Sequence, residues 1–208
     1  MNTPEIPEIV VRRLPLYART LSWLVEENVQ TVSSQELGAN LGMSPAQIRK
    51  DLSYFGEFGK QGTGYDVKYL LSQLRQILGV EREWLVALVG VGDLGHAIAR
   101  YGGFGKRGFK IAALFDNDPR KIGQQVGELE ILGMEALPMV VKGLRLRLGI
   151  VAVPAAKAQE VTDYLVECGI RGILNYAPIN LHVPKGVRVR YIDPVVLLQS
   201  MTYHLKSG

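Results

Sequence analysis

The chain has 208 residues, of which 47% are hydrophobic and 21% are charged, a composition typical of a globular protein with one large or two small domains. No apolar run approaches the roughly 18 residues that span a bilayer, and the N-terminus lacks the basic and apolar regions of a signal peptide. Cys168 is the single cysteine, which excludes a disulfide framework and a cysteine-based metal site. We therefore expect a cytoplasmic protein with neither a membrane nor a metal partner.

The net charge of +4 does not by itself predict a nucleic-acid partner. The first 80 residues hold eight basic and eight acidic residues, so the positive excess lies in the remainder of the chain. An argument for DNA binding must therefore depend on local geometry rather than on bulk charge.

The segment 31–55 predicts two short helices joined by a tight turn, which is the layout of a helix-turn-helix. Ser33 and Glu36 have the spacing of a capping box that opens the first helix. Gly42 ends that helix, and Ser44 caps the second one.

The second helix separates into an apolar and a polar face. Ile48, Leu52 and Phe55 recur at i, i+4 and i+7 and are expected to point into a core. The opposite face offers charge, hydroxyl groups and an aromatic ring, which suit phosphates and base edges in a major groove. Its candidate DNA-binding residues are Arg49, Lys50, Ser53 and Tyr54. The alternative is an ordinary solvated helix face.

Residues 56–65 follow directly and contain four glycines. A segment so rich in glycine predicts a hairpin rather than a helix. A hairpin after a recognition-type helix is a wing, whose tip would bring Lys60 and Gln61 to phosphates or a minor groove. The alternative is a plain connector to the amphipathic helix predicted over residues 67–78.

The region after residue 83 begins with a glycine motif between two apolar runs, Gly90-x-Gly92-x-x-Gly95. Gly90 permits a tight turn, Gly92 lets the backbone approach a pyrophosphate, and Gly95 lets a helix pack close to the sheet. Asp116 ends the second apolar run, 21 residues after Gly95, where it can accept hydrogen bonds from an adenosine ribose. The pattern predicts a dinucleotide site, with a glycine turn that binds no phosphate as the alternative.

Apolar runs alternate with helical stretches over the rest of this region, which is typical of βαβ units around a parallel sheet. The predicted strands lie near 84–90, 110–116, 146–153, 170–175 and 187–192, and the predicted helices near 94–103, 119–123, 134–142 and 155–168.

The last predicted helix, near 194–206, is apolar on almost every side. Such a helix requires burial on most sides. We expect it to insert into a second subunit, with packing on its own Rossmann domain as the alternative. Its apolar residues are Val195, Val196, Leu197, Leu198, Met201, Tyr203 and Leu205.

Together these patterns predict an α/β protein in three parts. A winged helix-turn-helix domain spans 1–80, a Rossmann-like parallel-sheet domain spans 81–192, and a C-terminal dimerisation helix, expected to be domain-swapped, spans 193–208.

Over nearly its whole length the chain resembles the Rex family of redox-sensing transcriptional repressors. The matching segments are RLPLYAR at 13–19, RKDLSYFG at 49–56, GTGY at 62–65, GVGDLG at 90–95, FDNDP at 115–119, VP at 153–154 and GIRGILNYAP at 169–178. The resemblance implies a homodimer that binds inverted-repeat operator DNA through winged helices. It also implies that NADH releases the DNA and that NAD⁺ competes for the same pocket.

The resemblance further implies roles for individual residues. Operator contacts fall on Arg49, Lys50, Ser53, Tyr54, Lys60 and Gln61. The dinucleotide falls on Gly90, Val91, Gly92, Asp93, Leu94, Gly95 and Asp116, with Pro154 and Ala177 near the nicotinamide. An interdomain switch contact falls on Arg19, Tyr101 and Asp193.

Two other classes of protein use a similar sheet. An NAD-dependent oxidoreductase with a helical dimerisation domain is the main alternative, but it needs an acid or base beside its substrate. None of the nine tyrosines has a lysine four residues on, and the three histidines fall on surface or loop positions. A CoA-binding protein, or preference for NADP(H), is disfavoured because Asp116 would repel a phosphorylated ribose, although Arg120 and Lys121 lie nearby.

Overall fold

The computed structural model of the chain describes residues 6–60 and 62–205, apart from the side chains of Lys60 and His204. The chain divides into two compact units, the first ending at Arg82 and the second beginning at Glu83.

The first unit is a winged helix-turn-helix, as the sequence predicted. Its elements are α1 (Glu8–Glu26), β1 (Thr31–Val32), α2 (Ser34–Leu41), α3 (Pro45–Ser53), β2 (Gly59–Lys60), β3 (Gly64–Asp66) and α4 (Val67–Leu78). The three strands form an antiparallel sheet in the order β1-β3-β2, with β2 and β3 as the wing.

The predicted caps fix the helix-turn-helix. The Ser33 hydroxyl accepts from the N–H of Glu36 at 3.1 Å, and the Glu36 carboxylate accepts from the N–H of Ser33 at 2.7 Å, which completes the capping box. Gly42 ends α2 in a left-handed conformation with φ of 64°, and the Ser44 hydroxyl accepts from the N–H of Gln47 at 3.2 Å. These short-range bonds set where both helices begin.

A buried carboxylate joins the second helix of this motif to α1. Arg13 donates to both oxygens of Asp51, from Nε at 2.5 Å and from Nη2 at 2.8 Å. The Tyr17 hydroxyl donates to the same carboxylate at 2.5 Å, and Gln47 Nε2 donates at 2.7 Å. Asp51 is fully buried. These four residues, Arg13, Tyr17, Gln47 and Asp51, are called the Asp51 cluster below.

The Asp51 cluster should make the first unit sensitive to acid. Burial alone would raise the pKa of Asp51, but hydrogen bonds from Arg13, Tyr17 and Gln47 outweigh it and hold that pKa below its usual value. A carboxylate with a lowered pKa stabilises the fold above its unfolded pKa of about 4, and this contribution is lost as the pH falls through the folded pKa.

We therefore expect acidification below pH 4 to lower the free energy of unfolding more in the chain that retains Asp51 than in Asp51→Asn. The expected difference is on the order of 1 kcal/mol or more. Trp84→Phe provides the background for both, because it leaves Trp23 of the first unit as the single tryptophan. Urea unfolding followed by Trp23 fluorescence between pH 6 and pH 3 measures the difference. Parallel pH profiles for the two chains would contradict the prediction.

The second unit contains a mostly parallel seven-stranded sheet. Its elements are β4 (Trp84–Val89), α5 (Asp93–Ala99), β5 (Phe109–Asp116), β6 (Gln125–Val126), β7 (Leu129–Gly133), α6 (Leu137–Gly143), β8 (Leu148–Val151), α7 (Ala155–Glu167), β9 (Gly172–Asn175), β10 (Arg188–Tyr191) and α8 (Pro194–Leu205), with 3₁₀ turns at Gly105–Arg107 and Met134–Ala136. The order is β10-β9-β8-β4-β5-β7-β6, and β6 alone runs antiparallel to its neighbour. The predicted Rossmann-like sheet is therefore confirmed.

Successive residues of the central strand β4 supply the two faces of the sheet. Ala87 and Val89 belong to one buried cluster, which also contains Leu165 of α7. Val86 and Leu88 belong to a second cluster on the other side. The strand is buried on both faces, which explains its continuous apolar sequence.

The helix predicted near 119–123 was wrong. Residues 119–123 form a single turn, in which the N–H groups of Lys121 and Ile122 both donate to the carbonyl oxygen of Asp118, at 2.9 and 3.3 Å, and the Asp118 carboxylate accepts from the N–H of Arg120 at 3.0 Å. Gly123 follows in a left-handed conformation with φ of 85°, which stops any helical continuation. The chain then forms the β6–β7 hairpin, which the sequence did not predict.

The apolar side chains of α8 are not buried within their own chain. Their exposed fractions range from 57% to 75% for Val195, Val196, Leu197, Leu198, Met201, Tyr203 and Leu205. Packing of this helix on its own Rossmann domain, the alternative considered from the sequence, therefore leaves its apolar surface unexplained. Among the described residues no helix is both long enough and apolar enough to cross a membrane.

Candidate DNA interface and dinucleotide site

The two faces of α3 are those that the sequence predicted. Ile48 and Leu52 are buried, and Phe55 just after the helix packs against the same core. On the other face, Arg49 and Lys50 are exposed. That face is therefore open to a large partner such as a duplex.

Polar contacts already hold part of this outer face. Arg49 Nη1 donates to the hydroxyl of Ser34 at 2.9 Å, which links α3 to the start of α2. The exposed Ser53 hydroxyl donates to the carbonyl oxygen of Lys50 at 2.8 Å. Tyr54, half-buried, ends the helix. The Arg49 contact restrains its guanidinium near the surface that would meet a phosphate.

The second strand of the wing begins at a position that requires glycine. Gly64 has φ of 79°, and a Cβ at this position would lie 2.6 Å from the carbonyl oxygen of Val32. The close approach of β3 to the end of β1 therefore excludes a side chain. Two predicted DNA-binding side chains, those of Lys60 and Gln61, lie outside the described part of the structure.

In the second unit the glycine motif forms a turn in which three backbone segments meet. Gly90 has φ of 94°, and a Cβ there would lie 2.5 Å from the carbonyl oxygen of Ala152. A Cβ at Gly95 would lie 2.0 Å from the carbonyl oxygen of Gly90. A Cβ at Gly92, by contrast, would meet no described atom within 4 Å. The absence of a side chain at Gly90 and Gly95 therefore allows the backbone segments to pack against one another. Its absence at Gly92 leaves the backbone there accessible to a ligand.

Asp116 ends β5 beside this turn and is 5% exposed. Its carboxylate accepts from the N–H of Val91 at 2.8 Å, from the N–H of Asp118 at 2.9 Å, and from Lys121 Nζ at 2.9 Å. Burial would raise the pKa of Asp116, but these bonds outweigh it and hold the pKa below its usual value. Asp116 is therefore an ionised acceptor at neutral pH.

A cavity of about 900 Å³ opens at the carboxyl ends of β4, β5 and β8. This is the point where the strand order reverses on either side of β4, and open α/β sheets bind their ligands at such a point. The predicted residues that line it are Gly90, Gly92, Asp116 and Pro154. Its volume is in the range of ligand pockets, so the geometry suits a nucleotide-sized molecule.

The other predicted residues of this site, including Gly95, are not among the described residues that line the cavity. Val91 is buried, and Ala177 is buried with its N–H donated to the side chain of Asn175 at 2.9 Å. Asp93 and Leu94 are exposed in the first turn of α5. The described lining residues include no histidine, although Lys121, Lys157 and Tyr164 are among them.

The basic residues near Asp116 have different partners, which the sequence did not reveal. Arg120 binds the carboxylate of Asp118 at 2.8 Å and is largely exposed. Hydrogen bonds from Arg120 lower the pKa of Asp118 to about 2. Lys121 binds Asp116 instead and lines the cavity. Lys121 lies five residues after Asp116 in the sequence, but this spacing alone does not show whether Lys121 or Arg120 binds the Asp116 carboxylate.

The three predicted switch residues have distinct surroundings. Arg19 is exposed on α1. Tyr101 is 54% exposed, packs edge-to-face on Phe104 with ring centroids 5.5 Å apart, and lies over Gly103, where a Cβ would come within 2.4 Å of the Tyr101 ring. The Asp193 carboxylate accepts from the N–H of Val195 at 2.9 Å and thereby caps α8. Their interdomain role remains a prediction.

The cavity also has walls that sequence reasoning missed. Asn117 and Met134 follow β5 and β7, and one side of α7 contributes polar residues, namely Lys157, Glu160, Asp163, Tyr164 and Glu167. The sequence indicated α7 but not which of its sides faces the cavity. Within residues 6–60 and 62–205 no group of three side chains is placed to hold a metal ion.

Family models match both units. The model described as "Putative DNA-binding protein N-terminus" matches residues 5–53, and the model described as "CoA binding domain" matches residues 81–179. A helix-turn-helix and a nucleotide-type sheet on one chain define the class of ligand-responsive DNA-binding proteins.

Relatives over the full length narrow this class. Redox-sensing transcriptional repressor Rex of Chloroflexus aurantiacus is 59% identical over 96% of this chain and 94% of its own, and Rex of Brevibacillus brevis is 49% identical over 97% of each. The chain belongs to the Rex family of redox-sensing transcriptional repressors. These relatives are named as repressors and not as enzymes, which agrees with the expectation from the sequence.

Solved structures agree with this family. The Rex-family repressor RSP in complex with β-NAD⁺ and operator DNA matches with a TM-score of 0.91 and 37% identity, covering 97% of this chain and 93% of that one. RSP in complex with β-NADH matches with a TM-score of 0.88 and 34% identity, covering 98% and 95%.

The glycine motif allows packing and ligand binding to be tested separately. We expect Gly95→Ala to lower the free energy of unfolding by about 1–3 kcal/mol, because its Cβ would collide with backbone. Gly92→Ala should leave the melting temperature unchanged but weaken NADH binding about tenfold, because its methyl group points into open space where a pyrophosphate would approach. Thermal melts and NADH titration measure both. Wild-type NADH affinity in Gly92→Ala would contradict the assignment of this turn.

Proposed function

We propose that the chain is a homodimeric repressor that binds inverted-repeat operator DNA and leaves it when NADH occupies the second unit, with NAD⁺ competing for the same cavity. The observation that carries this proposal is the cavity bounded by the glycine turn and Asp116, on the same chain as a helix-turn-helix. The RSP complexes with NAD⁺ and operator DNA and with NADH support it. Because a repressor acts on the chromosome, we place it in the cytoplasm.

In this proposal α3 enters a major groove and the wing approaches the neighbouring backbone. Arg49 and Lys50 bind phosphate or guanine, and Ser53 and Tyr54 add contacts at the end of the helix. Lys60 and Gln61 extend the contact from the tip of the wing. The exposure of Arg49 and Lys50 supports the assignment.

In the second unit the dinucleotide lies across the cavity. Its pyrophosphate approaches the open backbone at Gly92 and the first turn of α5, with Asp93 and Leu94, and the adenosine ribose approaches Asp116. The nicotinamide lies toward the strand ends that precede Pro154 and Ala177. The ionised, buried carboxylate of Asp116 favours NAD(H), since a 2′-phosphate would be repelled.

The dimer forms through α8. Its apolar side chains, more than half exposed in the single chain, gain burial by inserting into a second copy. Closure around reduced nicotinamide, sensed through Arg19, Tyr101 and Asp193, then changes the spacing of the two recognition helices. Operator half-sites have a fixed spacing of about 34–36 Å per helical turn, so the change costs affinity.

The first test is fluorescence anisotropy on a palindromic operator, titrated separately with NADH, NAD⁺ and NADPH. We expect NADH to release the DNA at low concentration, NAD⁺ to antagonise it, and NADPH to act weakly. A coupling of about 1–3 kcal/mol corresponds to roughly 5- to 150-fold control, and operator must weaken NADH binding by the same factor. Equal NADH affinities with and without operator would refute the coupling.

The dimer is tested by a matched pair of substitutions. We expect Met201→Glu, on α8, to raise the dimer dissociation constant at least about tenfold, because it places a carboxylate in an apolar contact. Met139→Glu, on α6, is the control, since Met139 is 74% exposed and has no part in the proposed contact. Sedimentation velocity over a range of protein concentrations distinguishes them. A Met201→Glu chain that remains as dimeric as the control would refute the role of α8.

A further inference from the structure

We propose that the Asp51 cluster sets the orientation of α3 for operator recognition, so that Arg13 is a positioning residue although it lies on α1. This inference rests on the proposed placing of α3 in a major groove. It concerns the geometry of recognition and adds no contact to DNA.

The cluster lies directly behind the proposed DNA face. Asp51 follows Lys50 in the chain, and its carboxylate points to the buried side while Lys50 is exposed. Gln47, one turn earlier on α3, binds Asp51 Oδ1 at 2.7 Å, so the carboxylate is also fixed to its own helix. Any shift of Asp51 relative to α1 therefore moves the residues that face the DNA.

The hydrogen bonds from α1 restrain the orientation of α3, whereas the surrounding apolar contacts do not. Ile48 and Leu52 bury α3, but apolar burial is nondirectional and tolerates small rotations. The guanidinium of Arg13 grips both oxygens of Asp51, and such a bidentate pair fixes distance and plane together. The Tyr17 hydroxyl, one turn further along α1, adds a third bond from α1 at 2.5 Å.

Folding stability alone does not explain why an ion pair occupies this position. Replacing a buried ion pair with apolar residues of similar volume is often neutral or stabilising. Recognition of base edges, in contrast, requires side chains held within fractions of an ångström. Among the described side chains, the other hydrogen bond that joins α3 to another helix is the exposed one from Arg49 to Ser34, at 2.9 Å.

The test compares Arg13→Lys with Arg12→Lys in the full chain. Both keep the positive charge of α1, so the long-range attraction to DNA is unchanged. Arg12 is exposed and pairs only at the surface, with Glu8 at 3.4 Å. Lysine at position 13 keeps the charge but cannot form the bidentate pair. Dissociation constants are measured for operator and for a scrambled duplex of equal length, at several salt concentrations and below the melting temperature of each variant.

We expect Arg13→Lys to weaken operator binding about tenfold, the effect of roughly one mismatched base pair, and to leave scrambled-duplex binding and the salt dependence unchanged. Arg12→Lys should change neither affinity. Tyr17→Phe, which keeps the ion pair and removes one donor, should weaken operator binding by a smaller factor and serves if Arg13→Lys folds poorly.

Lys50→Ala distinguishes a failure of the positioning role from a failure of the proposed DNA face. Weaker operator binding in Lys50→Ala, with Arg13→Lys and Tyr17→Phe both equal to Arg12→Lys, would overturn the positioning role and leave the DNA face in place. Wild-type operator binding in all of them would overturn the placing of α3 and the inference with it. Equal losses on operator and scrambled duplex in Arg13→Lys and Tyr17→Phe would also overturn it, because they would indicate a purely structural role.

Discussion

The second unit depends on the meeting of three backbone segments at the end of its central strand. The Cβ position of Gly90 lies 2.5 Å from the carbonyl oxygen of Ala152, and that of Gly95 lies 2.0 Å from the carbonyl oxygen of Gly90. No larger residue fits either place without moving backbone. This contact brings the start of α5 and the end of β8 together, and Asp116 holds the same turn through the N–H of Val91. The cavity is the space that these constraints leave at the reversal of strand order.

Much of this arrangement could be predicted because its signals are local or periodic. The capping residues Ser33 and Ser44 mark helix starts within three residues, and the glycine motif with Asp116 marks a strand, turn and helix. The helix predicted near 119–123 was wrong because Gly123 takes a left-handed conformation after a single turn and the chain continues into a hairpin, which helical spacing does not record. The fold followed from these patterns and the family from the resemblance of whole segments, whereas the individual roles of the site residues remain predictions.

The Asp51 cluster shows what sequence reasoning could not reach. Arg13 and Asp51 are 38 residues apart, and neither has a spacing or composition that marks it as a partner of the other. In the sequence, a carboxylate that becomes buried cannot be distinguished from any other acidic residue, because its hydrogen-bond donors come from distant parts of the chain. The same helix, α1, carries buried Tyr17 and exposed Arg19. One rigid element thus joins the back of α3 to a predicted switch residue.

The hydrogen bonds that Asp116 makes within the protein affect how long a ligand stays bound. A carboxylate offers about four acceptor positions, and the N–H groups of Val91 and Asp118 together with Lys121 occupy three of them. One acceptor position therefore remains for a ribose hydroxyl of the proposed dinucleotide, and the second hydroxyl of the same ribose must share an occupied position or exchange with Lys121, so its net gain is smaller than that of a new hydrogen bond. Weaker net binding is expressed mainly as faster dissociation. A regulator that must follow a metabolite as it rises and falls benefits from short ligand lifetimes, and this ion pair is placed to set them.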